Sequence, residues 1–470
     1  MDPLLLLLVG VIVVIGGIVW LRLHAFLALM AAAIVVAALT PPENIERSLL
    51  AQNKSPAEAS ARAAEPLGTK LASKFGSACA NLGVLIAMAS VVGGCLLHSG
   101  GAERIVRSAL NTFGERRAPV VLGVSGLILG VPVFFDTVFL LLIPLARALA
   151  ARTGRDYLLY VLAIAVGTTM THSLVPPTPG PLFAATALKV DIGVMILGGL
   201  VLSTLTASCG LAYAWWANRR WPTPLRAVSG EAAHMLSPAS GLRDEQLPSL
   251  ALSLAPIVLP VVLISGETFS DLGFLPAGLA RALAVVGHPN IALTLSAALA
   301  LLTLALRPGM DAAKLRQHVQ AALADAGTII LITAAGGVFG GCLQETGVGE
   351  RIREFAVTYR IGVLPLAFVL TALVRIAQGS ATVAMVTSVG IVGSFAAPET
   401  LGFHPVYLAL TIGCASKLVP WMNDSGFWVL SRTAGLTERE TLRTMSVMFA
   451  LMGVIGFLII LVAVRLFPLV

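Results

Sequence analysis

The sequence predicts an all-α polytopic membrane protein made of two inverted repeats, each with five spans plus a re-entrant hairpin and with a broken helix at mid-membrane. Three observations carry this. The chain has 470 residues, 57% hydrophobic and 12% charged, and its mean hydropathy is +0.91; a soluble chain of that length could not cover so much apolar surface, so the bilayer must be its solvent. Next, Gly93-Gly94-Cys95-Leu96-Leu97-His98-Ser99-Gly100-Gly101-Ala102-Glu103-Arg104-Ile105 returns 247 residues later as Gly340-Gly341-Cys342-Leu343-Gln344-Glu345-Thr346-Gly347-Val348-Gly349-Glu350-Arg351-Ile352, identical at eight of thirteen positions. Finally, about eighty residues beyond each copy, Leu174-Val175-Pro176 and Leu418-Val419-Pro420 sit in polar, Pro/Gly-interrupted breaks inside apolar segments. Two halves broken at matching places are the sequence pointer to a secondary transporter, with the binding site at the breaks.

The elements follow in order. Met1-Asp2-Pro3 leads into an apolar run to Trp20 without the basic stretch or small-residue cleavage site of a signal peptide, so it reads as the first span. The first repeat, 1–217, has spans at about 4–20, 23–40, 76–98, 157–188 (broken) and 192–217, with a hairpin over 118–150 turning near Gly130-Val131-Pro132. A cytoplasmic linker covers 218–248. The second repeat, 249–470, has spans at about 250–266, 290–306, 322–343, 404–435 (broken) and 444–467, with a hairpin over 361–397 turning near Gln378-Gly379-Ser380. The polar stretches 41–74 and 218–248 are linker-sized, and nothing is large enough for a soluble domain.

An odd number of spans per repeat inserts the second half upside down and puts both termini in the periplasm. Charge agrees: the loops then assigned to the cytoplasm hold 18 Lys/Arg against 11 opposite, with Arg375 and Lys417 inside the membrane segments. The 344–360 loop, with Arg351, Arg353 and Arg360, is the weakest point of that count. The same rule accounts for the formal charge of +7, since no soluble basic face with interleaved aromatics points to nucleic acid. The five cysteines lie in apolar segments without CxxC or a histidine at ligand spacing and read as small core residues.

Charges at membrane depth cost a few kcal/mol each and need a reason. Asp136 follows the first hairpin turn, Arg375 precedes Gln378-Gly379-Ser380-Ala381-Thr382 at the second, and Lys417 and Asp424 flank the second break, Trp421-Met422-Asn423-Asp424-Ser425-Gly426. The first break reads Thr171-His172-Ser173-Leu174-Val175-Pro176-Pro177-Thr178-Pro179-Gly180-Pro181, with more prolines than a kink needs. The bland reading makes Asp136 and Arg375 a structural ion pair, Asp424 a helix cap and His172 a packing residue. The functional reading uses the same physics. Free N–H groups and a positive dipole end suit a carboxylate, and hydroxyl and amide side chains suit sugar-like hydroxyls. Arg375 supplies a planar fork. The candidate substrate-binding residues are Thr171, His172, Ser173, Thr178, Gly180, Arg375, Gln378, Gly379, Ser380, Thr382, Asn423 and Ser425, and the candidate proton-coupling residues are Asp136 and Asp424.

At these residues the chain resembles the gluconate permease (gluconate:proton symporter) family over nearly its whole length. The likeness is sharpest in Thr171-His172 through Pro179-Gly180-Pro181, in Gly379-Ser380-Ala381-Thr382-Val383-Ala384 with Arg375 ahead of it, and in Asn423-Asp424 followed by Gly426-Phe427-Trp428. The resemblance implies a bacterial inner-membrane importer of small hydroxylated monocarboxylates, gluconate or related sugar acids, driven by proton symport. It also implies an elevator-like movement beside a dimerising scaffold, hence a homodimer. The chain departs from the family pattern in having Asp136 for Glu after the first hairpin turn, Thr178 for His between the prolines, and Pro420-Trp421 for Ser-His before the Asn-Asp pair. These exchanges change the hydrogen bonding expected in the pocket.

The rival class is a membrane enzyme. Gly123-Val124-Ser125-Gly126 matches the GxSG pattern of an intramembrane protease, with Ser125 as nucleophile and His172 as base. No HExxH and no GxxxxGK[ST] occurs, so transport driven by an ion gradient is expected, without a cofactor. Sodium is the alternative to the proton, because turns lined by Ser, Thr and Asn with free carbonyls could equally hold that ion. A channel fits less well than an occluded site built around fixed charges.

Overall fold

The computed structural model describes residues 2–51, 55–226, 246–271, 276–348, 362–393, 401–422 and 424–469, and among these all regular structure is helical. Six helices are long and apolar enough to cross a membrane: Leu67–Ser99, Tyr157–Ala187, Ile192–Arg220, Leu250–Thr268, Ala312–Glu345 and Glu438–Leu466. The number rises to eight if two bent pairs count as spans, Ala25–Leu39 with Pro42–Leu50 at 96° and Gly278–Val286 with Pro289–Ala305 at 73°. The ten expected apolar segments are all helical, but two fall short of a span even when each bent pair counts as one. Pro3–Val19 has 17 residues, about 25 Å at 1.5 Å each. In the second half the broken segment separates into Val406–Ala415 and Ser425–Ala434.

Helix boundaries depart from the sequence reading where charges interrupt the apolar run. Leu67–Ser99 begins well before the expected 76, and Ala312–Glu345 before 322. The reason is in their packing. The two helices lie antiparallel: the His98 ring stacks on His318 with centroids 4.0 Å apart, while at the other end Glu345 meets Lys74 at 2.8 Å and Lys70 at 3.8 Å. Lys70 and Glu345 are both buried, so each tolerates burial only because the other helix carries its counter-charge. The 41–74 stretch expected as linker holds two further helices, Pro42–Ala51 and Pro56–Ala63, the latter capped by Ser55. Ile45, Leu49 and Ala59 form a small core of their own there.

Both hairpins form. Ala118–Leu129 and Phe135–Thr153 flank the first turn, Val363–Gln378 and Ala381–Val392 the second. The first arm lies so close to Tyr157–Leu174 that a Cβ on Gly167 would sit 1.9 Å from the Gly123 carbonyl oxygen. Tyr157–Leu174 is buried at every position except His172. The second hairpin packs equally tightly on Ala312–Glu345, with Gly340 facing Gly390. Each broken helix lays its second piece against the hairpin of the other half: Gly180 abuts Met385, and Gly426 abuts Phe135. Tyr157 Oη donates to the Ala434 carbonyl at 2.6 Å, tying the start of one broken helix to the end of the other. The linker is described only at its margins, where Arg226 makes a two-pronged pair with Glu440 at 2.7 and 2.8 Å. Arg351, Arg353 and Arg360 of the charge count, residues 394–397 of the second hairpin, and Asn423 lie outside the described residues.

Candidate functional site

The second hairpin turns at Gly379, whose φ of +90° is a left-handed conformation that side-chain-bearing residues rarely adopt. Ser380 then caps the next helix through the Val383 N–H. This turn brings Arg375, in the last turn of its helix, to the same level as Gly379, Ser380 and Thr382. The first hairpin turn delivers Phe134, Phe135 and Asp136, the second break delivers Lys417, Asp424 and Ser425, and Tyr157–Leu174 contributes Thr169 and His172. All of these line one cavity of about 440 Å³, closed on its apolar side by Phe427, Met445 and Phe449.

The cavity is electrostatically dense. Arg375 and Lys417 are 3% and 5% exposed, so both cations are withdrawn from bulk water and need partners. Arg375 donates through Nη2 to Asp424, while its Nε and Nη1 have no hydrogen-bond partner among the described residues. Asp424 also accepts the Gly426 N–H at 2.7 Å and so caps Ser425–Ala434; the cap reading and the charged-site reading hold together. Ser425 Oγ donates to Asp136 at 3.5 Å. Asp136 in turn lies within Coulomb reach of Asp424 and Lys417, so two acids and two bases share one pocket. His172 stands edge-on to Phe134, ring centroids 5.7 Å apart, with Nδ1 unpartnered among the described residues.

The structure brings Asp136, His172, Arg375, Gly379, Ser380, Thr382, Asp424 and Ser425 together. It does not bring Thr171, Ser173, Thr178 or Gly180 to this cavity. Thr171 bonds back to the Gly167 carbonyl, Ser173 accepts from Ser416, Thr178 donates to the Val175 carbonyl, and Gly180 faces Met385. Asn423 lies outside the described residues, as does the Gln378 side chain. Trp421 is absent from the lining; its indole donates to the Ile376 carbonyl at 2.9 Å and straps the break to the second hairpin. The Asp136–Arg375 pair of the bland reading is not formed, and Arg375 pairs with Asp424 instead. Sequence reasoning left out Thr169, although it precedes His172 by three residues and so shares its helical face. It noted Lys417 as a charge at depth without placing it in the site.

A family model described as GntP family permease matches residues 59–466. The chain belongs to that family. A relative named gluconate permease from Pseudomonas aeruginosa is 34% identical, over 82% of this chain and 85% of its own. The Escherichia coli protein named inner membrane permease YgbN is 32% identical over 84% and 87%. In fold, the chain is similar to the Alcanivorax borkumensis YdaH transporter, with a TM-score of 0.58, 14% identity and coverage of 86% and 89%.

As a GntP family permease the protein is a multi-pass transporter of the inner membrane and not an enzyme. The protease reading also fails on geometry, since Ser125 is buried in its hairpin arm and is not among the residues around His172 in the cavity.

Proposed function

We propose that this permease imports a small hydroxylated monocarboxylate, gluconate or a related sugar acid, together with a proton. One observation carries the reading: a buried arginine with two donors that have no partner among the described residues, in a cavity that also holds two carboxylates and a line of hydroxyls. A fixed guanidinium suits a carboxylate. Ser380, Thr382, Thr169 and Ser425 suit hydroxyls. The volume lies in the roughly 300–1,000 Å³ range of small-molecule sites. Asp136 and Asp424 are the acids that carry the proton, Asp136 serving as the relay beside Ser425.

The inverted-repeat arrangement, with repeats at 1–217 and 249–470 about a cytoplasmic linker at 218–248, belongs to this proposal. It is supported by the antiparallel pairing of Leu67–Ser99 with Ala312–Glu345, the two helices that end in the repeated motif. It is also supported by the reciprocal seating of each broken helix on the other half's hairpin. An elevator-like movement of the hairpins and broken helices, within a homodimer in the lipid bilayer, completes it.

The test is an uptake and thermal-shift screen of sugar acids, hydroxy acids and small amino acids, in proteoliposomes with imposed pH or sodium gradients. An acid with one carboxylate and at least one hydroxyl should stabilise the protein and accumulate with the pH gradient. Stabilisation by dicarboxylates or neutral sugars alone overturns the substrate; accumulation only with sodium overturns the proton. Labelling of a cysteine introduced in the 218–248 loop, Ser229→Cys, by an impermeant thiol reagent in intact cells overturns the topology.

A further inference from the structure

Tyr157–Leu174 holds Thr168, Thr169 and Thr171, all fully buried, and their hydroxyls are not used alike. Thr168 donates to the Ile164 carbonyl at 2.8 Å and Thr171 to the Gly167 carbonyl at 3.1 Å, the back-bonding that ordinarily satisfies a threonine inside a helix. The Thr169 hydroxyl has no partner among the described residues, and a buried hydroxyl left in that state is costly. His172 Nδ1 is in the same condition. Residues three apart share a helix face, and Thr169 and His172 both line the cavity. The cavity is therefore built from two unlike sets of groups. Its charges, on Asp136, Arg375, Lys417 and Asp424, come from the two hairpin turns and the second break, whereas Tyr157–Leu174 brings only Thr169 and His172. Two other hydroxyls of the lining already serve the protein: Ser380 accepts the Val383 N–H, and Ser425 donates to Asp136.

We propose that Thr169 and His172 form a hydroxyl-reading subsite, separate from the carboxylate site at Arg375, and that this subsite makes the permease select polyhydroxylated acids. The inference rests on the sugar-acid reading above and adds which groups recognise the chain beyond its carboxyl end. An alcohol both donates and accepts a hydrogen bond. Threonine Oγ does the same, and an imidazole offers a donor at one ring nitrogen and an acceptor at the other. A chain bearing hydroxyls satisfies both residues at once, whereas an alkyl chain leaves both unmet and excludes the water that could have met them. A site built to bond a hydroxyl rejects the analogue lacking it for that reason. The carboxylate is drawn elsewhere, to the cation with open donors at Arg375.

Gluconate and glycolate, which keeps the carboxylate and a single hydroxyl, are compared on the purified protein by titration calorimetry and by competition. The wild type should bind gluconate at least about tenfold more tightly than glycolate. Thr169→Val keeps the shape and removes only the hydroxyl, so it should weaken gluconate by about tenfold and leave glycolate within about twofold. Without ligand it should melt no lower than the wild type, because the hydroxyl it removes has no partner among the described residues to lose. Thr169→Ser, which returns the hydroxyl, should bind gluconate within about threefold of the wild type. His172→Phe, which keeps a ring beside Phe134, should weaken gluconate about as much as Thr169→Val. The proposal is overturned if glycolate binds the wild type as tightly as gluconate, or if Thr169→Val or His172→Phe leaves gluconate within about twofold. It is also overturned if Thr169→Ser is as impaired as Thr169→Val, or if Thr169→Val melts lower and weakens both acids equally, which would make Thr169 a packing residue. Those results leave the substrate reading standing. If gluconate does not bind the wild type, that reading fails by itself, and the comparison is made between the tightest hydroxy acid of the screen and its counterpart without hydroxyls; if no hydroxy acid binds, the subsite falls with it.

Discussion

The guanidinium of Arg375 and the carboxylate of Asp424, 49 residues apart in sequence, close the second hairpin onto the second break. Because Asp424 also holds the N-terminus of Ser425–Ala434 through the Gly426 N–H, a change at the cation is felt at once by a helix end. The charged cavity and the start of a helix are therefore joined through one side chain.

Arg375→Lys should raise the apparent KM for the carboxylate substrate strongly while leaving the protein folded. A point charge replaces a planar fork, and losing a charge-assisted pair in a dry site costs about 2–4 kcal/mol, or roughly thirty- to a thousand-fold. Initial uptake rates in proteoliposomes measure it; a change of less than about threefold would remove Arg375 from substrate binding.

Asp136→Asn should abolish uptake driven by a pH gradient while leaving substrate exchange measurable. Asn keeps the shape and can still accept from Ser425, which lies 3.5 Å from Asp136, but it cannot pass a proton on. Counterflow and gradient-driven uptake measured side by side separate the two, and normal gradient-driven uptake by the variant would exclude Asp136 as the relay.

Glu345→Gln should destabilise the protein by about 3–5 kcal/mol, because the buried Lys70 and the partly buried Lys74 lose their counter-charge. Lys70 and Lys74 approach Glu345 at 3.8 and 2.8 Å. Adding Lys70→Met and Lys74→Met to the same protein should recover much of the loss, since the charges that needed Glu345 are gone. Thermal unfolding of the three proteins in detergent is the measurement; equal melting of the wild type and Glu345→Gln would show that the pair contributes nothing.

Gly167→Ala should lower the melting temperature, with about 1–3 kcal/mol of overpacking. The new Cβ would sit 1.9 Å from the Gly123 carbonyl oxygen, a backbone atom that cannot turn aside, whereas Gly76→Ala meets nothing within 4 Å and serves as the neutral control. Similar melting of both variants would mean that the hairpin arm is not seated on Tyr157–Leu174 as closely as described.

Much of the fold was legible because hydropathy and glycine-proline punctuation are local signals. The hairpin turn at Gly379-Ser380 and the break before Asp424 are set by residues within a few positions of each other, and both stand where the sequence put them. The start of Leu67–Ser99 was not legible, because hydropathy treats Lys70 and Lys74 as the end of an apolar run and cannot see Glu345 across the antiparallel contact; near the start of Ala312–Glu345 it cannot see His98 stacked on His318. Part of the site was hidden for the same reason. Thr171 and Thr178 carry the right chemistry, but back-bonding to carbonyls within their own segment takes their hydroxyls away from the cavity.

By itself the sequence determined that the chain is a helical membrane protein, that its apolar segments are interrupted at two related places, and that four charges stand at membrane depth. Composition and short-range order suffice for that, because water and lipid sort side chains one at a time. Only the tertiary structure decided which charges meet. The bland reading paired Arg375 with Asp136, and it pairs with Asp424; Lys417 joined the cavity, and Trp421 left it to strap the break to Ile376. Pairings of that kind depend on how two hairpins and two broken helices seat on one another, through contacts between residues tens to hundreds of positions apart.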